Sequence, residues 1–381
     1  MVHPRVLQAL SAPVIGHLDP AFLALMSEVQ ERLRRVFRTR NPFTIAVSGT
    51  GSAGMEAALV NLVEPGDRVL VGVNGVFGAR MAAVVERCGG TVLRVDAPWG
   101  RIVEPDDVRR AVERAGPVKA VALVHAETST GVHQPLESVG VFCRERGILF
   151  VVDAVTSLSG LPVETDGWGI DVCYSGTQKC LSCPPGLAPL TVSDRALAAI
   201  TRRQRPCVSW YLDLALIADY WAEQSRAYHH TAPISMLYAL REALCLVEEE
   251  GLSARIARHR LHSAALTAGL AALGFTPFAQ AGHRLTTLHC MLLPPGWDDG
   301  AIRAELLDRY AIEVGAGLGA IKGTAWRIGL MGESSTRAHV LTLLHALEDI
   351  GARRGLAAAS GEAIAAATAA YASAEPCAAP A

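Results

Sequence analysis

Three lysines occur in the 381 residues, at positions 119, 179 and 322. Lys119 follows Gly116-Pro117-Val118 at the entrance of an apolar run, and Lys322 lies in a glycine-rich loop; both are ordinary places for a solvated ammonium. Lys179 closes Tyr174-Ser175-Gly176-Thr177-Gln178-Lys179, downstream of the apolar run Ile148 to Val152 that ends in Asp153. A sheltered amine can form a Schiff base with a carbonyl. A carboxylate ending an apolar strand is costly to bury unless it meets a cation or several donors. Together the two suit pyridoxal 5'-phosphate, whose aldehyde needs an amine and whose pyridine nitrogen needs an acid to stay protonated. Taken singly, each has a plainer reading, as a surface lysine and as an exposed acid at a strand end.

Other segments carry matching chemistry. Ser48-Gly49-Thr50-Gly51-Ser52-Ala53-Gly54 follows the apolar run Phe43 to Val47 and opens a helical segment, so its amides can cup a phosphate. The same glycines, at 49, 51 and 54, satisfy dinucleotide spacing and keep a nicotinamide-dependent oxidoreductase in play. Against that reading, the next run (Arg68 to Val73) ends at Asn74 instead of the acid that would hold an adenine ribose. Phe77, in Asn74-Gly75-Val76-Phe77-Gly78, can stack on a flat ring or simply fill core. Thr128, in His125 to Gly131, can bond a ring substituent, while Ser129 or Thr130 can as well cap a helix or close a turn. Arg327, in Ala325-Trp326-Arg327-Ile328-Gly329-Leu330, suits a two-pronged grip on a carboxylate or an internal pairing on an edge strand. Cys180-Leu181-Ser182-Cys183 lacks a second ligand pair, and His229-His230 lacks metal-helix spacing, so neither argues for a metal.

These groups need a frame. Seven apolar runs alternate with amphipathic segments: 43–47, 68–73, 91–95, 120–124, 148–152, 172–175 and 187–192. That alternation predicts an α/β fold with a mainly parallel sheet covered by helices on both faces. After Gly251 the pattern becomes a long helix (252–273), extended pieces around 284–293, a helix near 298–310, two more extended pieces and a last helix from Thr336. We divide the chain into an arm (1–20), a large domain (21–250), a smaller α+β domain (251–355) and an alanine-rich tail (356–381) that either docks as a helix or frays. Apolar residues make up 50% and the formal charge is −2, without blocks of like charge. Nothing therefore points to nucleic acid or an anionic membrane. Nine scattered cysteines and no signal-like or membrane-spanning run predict a soluble, cytoplasmic protein.

In this order, the segments resemble the class V aminotransferases of fold type I, and among them the alanine-glyoxylate and serine-glyoxylate (serine-pyruvate) aminotransferases. The resemblance covers nearly the whole chain and includes Glu64-Pro65-Gly66-Asp67, Pro184-Pro185-Gly186 and Tyr228-His229-His230-Thr231 besides the motifs above. It implies that Lys179 carries the Schiff base, Asp153 meets the pyridine nitrogen and Phe77 stacks on the ring where relatives often have tryptophan. It further implies that Gly51, Ser52 and Gln178 hold the phosphate, Thr128 and Val155 line the ring, and Arg327 binds the substrate carboxylate. Tyr228 and Thr231 match residues that reach the phosphate of the neighbouring subunit, which implies a homodimer with shared sites. The expected reaction moves an amino group from alanine or serine to glyoxylate or pyruvate; related sequences use 2-aminoethylphosphonate or pyridoxamine as donor. Two departures stand out: Ser52 replaces a histidine found in some relatives, and the family's Gly-Pro-Gly-Pro-type segment would precede Val2 to Leu7, which leaves either a start codon assigned too late or a shortened arm with an altered entrance.

Overall fold

The computed structural model describes residues 1–222, 227–356 and 361–374. Seven strands form one sheet: β1 (Thr44–Ser48), β2 (Arg68–Val73), β3 (Thr91–Asp96), β4 (Ala120–Val124), β5 (Leu149–Asp153), β6 (Val172–Tyr174) and β7 (Leu187–Val192). Their order across the sheet is β1-β7-β6-β5-β4-β2-β3. Only β7 runs against the others, pairing antiparallel with β1 and β6. The ladders β5/β6, β4/β5, β2/β4 and β2/β3 are parallel. The sheet is the one the alternating runs predict, with strand ends shifted by a residue.

The reason is burial on both faces. β4, β5 and β7 consist wholly of buried residues, as apolar strands sandwiched between helices must be. β3 is one edge and mixes exposed and half-buried positions. Because β1, β2, β4, β5 and β6 run the same way, whatever follows each of them emerges on one edge of the sheet. Helix Gly51–Leu62 follows β1, helix Val76–Arg87 follows β2, the short hairpin Ala126–Glu127/Val132–His133 follows β4, and the loop with Lys179 follows β6. Ligands of open α/β sheets bind at that carboxyl edge.

A second sheet of four short antiparallel strands lies toward the C-terminus, in the spatial order 276–277, 288–292, 325–329, 315–316. Helices Leu252–Ala272, Asp299–Tyr310 and Arg337–Arg353 accompany it. Its core is separate and aromatic, with Phe275, Trp297 and Trp326 packed edge to face or tilted at centroid distances of 4.9–6.1 Å. Trp326 is fully buried, and its Nε1 donates to Asp299 Oδ1 at 2.8 Å, so its one polar atom is satisfied. This is the α+β pattern expected after Gly251.

The alanine-rich tail forms helix Glu362–Ser373, which buries Ala363 and Ala367. The Tyr371 hydroxyl meets His262 Nδ1 at 2.8 Å, and Ala363 N donates to Glu348 Oε1 at 2.7 Å. The docked alternative thus holds here; residues 357–360 and 375–381 lie outside the described residues. Among the described residues no helix is long and apolar enough to cross a membrane.

Candidate active site

One cleft at the carboxyl edge of the large sheet is lined by Gly51, Ser52, Phe77, Thr128, Asp153, Val155, Gln178 and Lys179, together with Thr50, Met55, Ala126 and Thr156. They come from the ends of five strands, β1, β2, β4, β5 and β6. Asp153 ends β5 and is 3% exposed. Its Oδ1 accepts from Val155 N at 2.9 Å and its Oδ2 from the Tyr174 hydroxyl at 3.0 Å. Burial dominates and pushes the carboxyl up to about 7, the two donors only partly offsetting it. Lys179 is half-buried in the turn after β6, and desolvation lowers its ammonium pKa. Arg327 adds repulsion in the same direction, while Asp153 opposes it.

Helix Gly51–Leu62 opens at the cleft, and its N-cap Thr50 makes no side-chain capping bond, which leaves the Gly51 and Ser52 amides uncapped by that side chain. Phe77 sits in the first turn of helix Val76–Arg87. That helix starts on Gly75, which has no side chain to cap it; Glu127, from the hairpin after β4, does so instead. Glu127 Oε2 accepts from Phe77 N at 3.0 Å and Gly78 N at 3.3 Å, and Oε1 accepts from Ser129 N and Oγ at 3.1 and 2.5 Å. Ser129 Oγ also accepts from Val76 N at 3.0 Å. The two sequence readings of this hairpin therefore coexist: Thr128 faces the cleft, while Ser129 caps and Thr130 Oγ1 bonds Glu127 O within the turn at 3.4 Å.

Three candidate residues are not brought to this lining. Arg327 stands half-buried on strand Ala325–Gly329, with its Nε donating to Ala316 O at 2.9 Å. Burial lowers its pKa and the Glu127 carboxylate opposes that, which places it within electrostatic reach of the cleft. Tyr228 is 58% exposed, and its hydroxyl meets Thr231 Oγ1 at 3.3 Å on the surface.

Several groups around the cleft escaped the sequence reading. Glu127 stood inside a quoted motif, but its capping role depends on a helix 50 residues earlier in the chain. Tyr174 gave no signal of contact with Asp153. Arg255, 2% exposed, donates from Nη2 to Cys180 O at 2.8 Å and from Nη1 to Glu250 Oε2 at 2.6 Å. Glu333 N donates to Ser182 Oγ at 2.8 Å. The lysine loop is thus held from the second sheet's helices and loops.

The comparisons agree with this geometry. The chain matches the family described as Aminotransferase class-V over residues 8–340. It is 40% identical to the (S)-ureidoglycine–glyoxylate transaminase of Bacillus subtilis, over 97% of this chain and 93% of that protein. The crystal structure of the Bacillus subtilis ureidoglycine-glyoxylate aminotransferase superposes with a TM-score of 0.95, covering 97% of this chain and 95% of that one. The alanine–glyoxylate aminotransferase of Callithrix jacchus is 40% identical over 91% of this chain and 84% of its own length. A Nostoc sp. alanine–glyoxylate aminotransferase structure is 49% identical, with a TM-score of 0.89 and 92% of each chain covered. The dinucleotide reading of the glycine motif gives way to these matches, and the chain belongs to the class V aminotransferase family.

Proposed function

We propose that this aminotransferase moves the amino group of a small amino acid, alanine or serine, to glyoxylate or pyruvate, using pyridoxal 5'-phosphate in the cleft that contains Lys179 and Asp153. The observation that carries the reading is Asp153. A carboxyl this deeply buried, with two donors and a pKa near 7, becomes a stable anion only when a cation enters its cleft, and a protonated ring nitrogen is such a cation. The residues fit the rest of the cofactor too. Phe77 and Val155 offer apolar surfaces for a flat ring. At Gly51 a Cβ would sit 3.0 Å from a Val155 methyl and 3.6 Å from Gly176 Cα, so a side chain there would crowd this corner. The amides of Gly51 and Ser52 at the helix N-terminus, with Gln178, suit a phosphate.

When bound, the cofactor supplies an electron sink for charge that develops at the substrate α-carbon. The chain supplies the rest. Lys179 Nζ would hold the aldehyde end of the cofactor. Its lowered pKa enlarges the neutral fraction that takes the α-proton and then returns it. Asp153 keeps the ring nitrogen protonated, and Arg327 grips the substrate carboxylate. Glyoxylate is the acceptor shared by the names of the ureidoglycine and alanine relatives, so we favour it; the 40% identity to the former makes ureidoglycine a donor to test beside alanine and serine.

Tyr228 and Thr231, exposed and outside the lining of this chain's own cleft, support a homodimer in which each subunit reaches its neighbour's phosphate. The separate cores support a division near residue 250. The eight cysteines described are all free, which supports a reducing, cytoplasmic setting.

The test is a half-reaction screen. Purified protein loaded with cofactor should absorb visible light, lose that colour with the true donor and regain it with glyoxylate or pyruvate. Protein that takes up no cofactor, or whose colour responds only to 2-aminoethylphosphonate or pyridoxamine, would overturn the proposal.

A further inference from the structure

A phosphate monoester carries roughly −1.5 to −2 charge near neutrality, whereas a helix N-terminus offers only about half a positive charge. Among the residues lining the cleft, Lys179 is the only cation, and that amine is committed to the aldehyde end. The phosphate end therefore needs positive charge from behind the lining.

Arg80 stands there. It lies one helical turn after Phe77 on helix Val76–Arg87, on the same face. Its Nη1 donates to Ser52 Oγ at 3.2 Å. Its Cζ lies 5.0 Å from the centroid of the Phe77 ring, within cation–π range. Among the described residues no carboxylate pairs with it, although most arginines of this chain that contact another side chain meet an acid. Arg80 is held by a ring platform and by a hydroxyl of the helix that opens onto the cleft.

We propose that Arg80 is a positioning residue for the cofactor phosphate, acting through Ser52. The inference rests on the cofactor reading above. With its oxygen accepting from the guanidinium, the Ser52 hydroxyl is free to turn its proton toward a phosphate oxygen, and a hydroxyl polarised in this way is a stronger donor. The guanidinium charge lies one hydroxyl away on an exposed part of the cleft rim, so its pull on a phosphate should weaken with added salt. The same arginine ties the ring platform to the phosphate end, since it contacts Phe77 and Ser52 together.

The two roles, charge for the phosphate and plain support of Phe77, separate when the cofactor loses its phosphate. Dissociation constants of pyridoxal 5'-phosphate and of unphosphorylated pyridoxal are measured by absorbance titration of protein freed of cofactor, for the wild type, Arg80→Gln, Arg80→Lys, Ser52→Ala and the Arg80→Gln/Ser52→Ala double variant. Arg80→Gln should weaken the phosphorylated form by about tenfold or more and pyridoxal by less than about twofold, as expected for loss of a charge-assisted contact. Arg80→Lys should recover part of the loss, and Arg80→Gln should cost little once Ser52 is alanine. Equal weakening of both ligands, or full additivity with Ser52→Ala, would overturn the role of Arg80 while leaving the cofactor reading intact. A wild type that binds neither ligand would instead sink the cofactor reading, and this inference with it.

Discussion

Asp153 and Lys179 are shaped by one force, desolvation, which acts on them in opposite directions. It raises the acid and lowers the ammonium, so each is held nearer to neutrality than it would be in water. For Lys179→Ala we expect cofactor to bind without covalent attachment and turnover to fall by about 10⁴-fold or more, read by single-turnover kinetics and by mass spectrometry after borohydride reduction. Asp153→Asn should lower kcat far more than cofactor affinity, because the amide fills the space but cannot keep the ring nitrogen protonated. Asp153 also makes a prediction about the cofactor-free protein. Its folded pKa, about 7, lies above the unfolded value near 3.8, so the folded state holds a proton that the unfolded chain has released. Its contribution to stability is complete below about pH 4 and is lost as the pH rises through 7, by at most about 4 kcal/mol. Urea melts of Asp153→Asn should therefore lack this decline, and the gap between variant and wild type should widen from pH 4 to 7.5. A flat difference would contradict the buried state of this carboxyl.

Among the elements, the ends of helices matter more than their faces. Gly75 starts the Phe77 helix, and a Cβ there would lie 2.4 Å from both Glu127 Cδ and Ser129 Oγ. The glycine is required by close approach of the capping acid, its backbone being ordinarily extended at φ 177°. Gly75→Ala should cost about 1–3 kcal/mol by overpacking, measured by chemical denaturation, and should also weaken cofactor binding by moving Phe77. The lysine loop depends on elements farther along the chain. Arg255 holds Cys180 O, and His259 Nε2 accepts from Gly332 N at 2.9 Å beside it. Ser182 adopts a left-handed φ of 55° in this loop, a conformation that serine rarely holds without support. Arg255→Met should cost about 2–3 kcal/mol and lower kcat with little change in the acidity of Asp153, since the acid rests on a different set of contacts.

At the scale of the whole molecule, the exposed rings are the unfinished part. Trp210, Tyr211 and Tyr228 are 62%, 45% and 58% exposed, and Trp210 stacks on His229 at 4.4 Å, one residue from Tyr228. For the proposed dimer, sedimentation should show a two-subunit species at micromolar concentration. Tyr228→Phe should weaken cofactor binding through loss of its hydroxyl without dissociating that species; a monomeric, fully active wild type would refute the shared site. Much of this was legible in the chain. The seven runs predicted the sheet because strands buried on both faces must be apolar throughout. Lys179, Asp153, Phe77 and Ser52 were conspicuous because each breaks or closes such a pattern at a strand end. The contacts of Glu127, Tyr174, Arg80 and Arg255 were not legible, because each joins segments from different parts of the chain and leaves no local period.

What the sequence alone determined is the inventory and its order: which strand ends carry an amine, an acid, a ring and a phosphate-suited turn. Local propensity and burial suffice for that, since a side chain's own neighbours set both. Tertiary structure decided how the groups act on one another. Parallel strands gather five ends on one edge of the sheet, and only that gathering desolvates Asp153, lowers Lys179 and sets Arg80 behind Ser52. Electrostatic effects depend on distance in space and on excluded water, and neither is written in the spacing of residues along a chain.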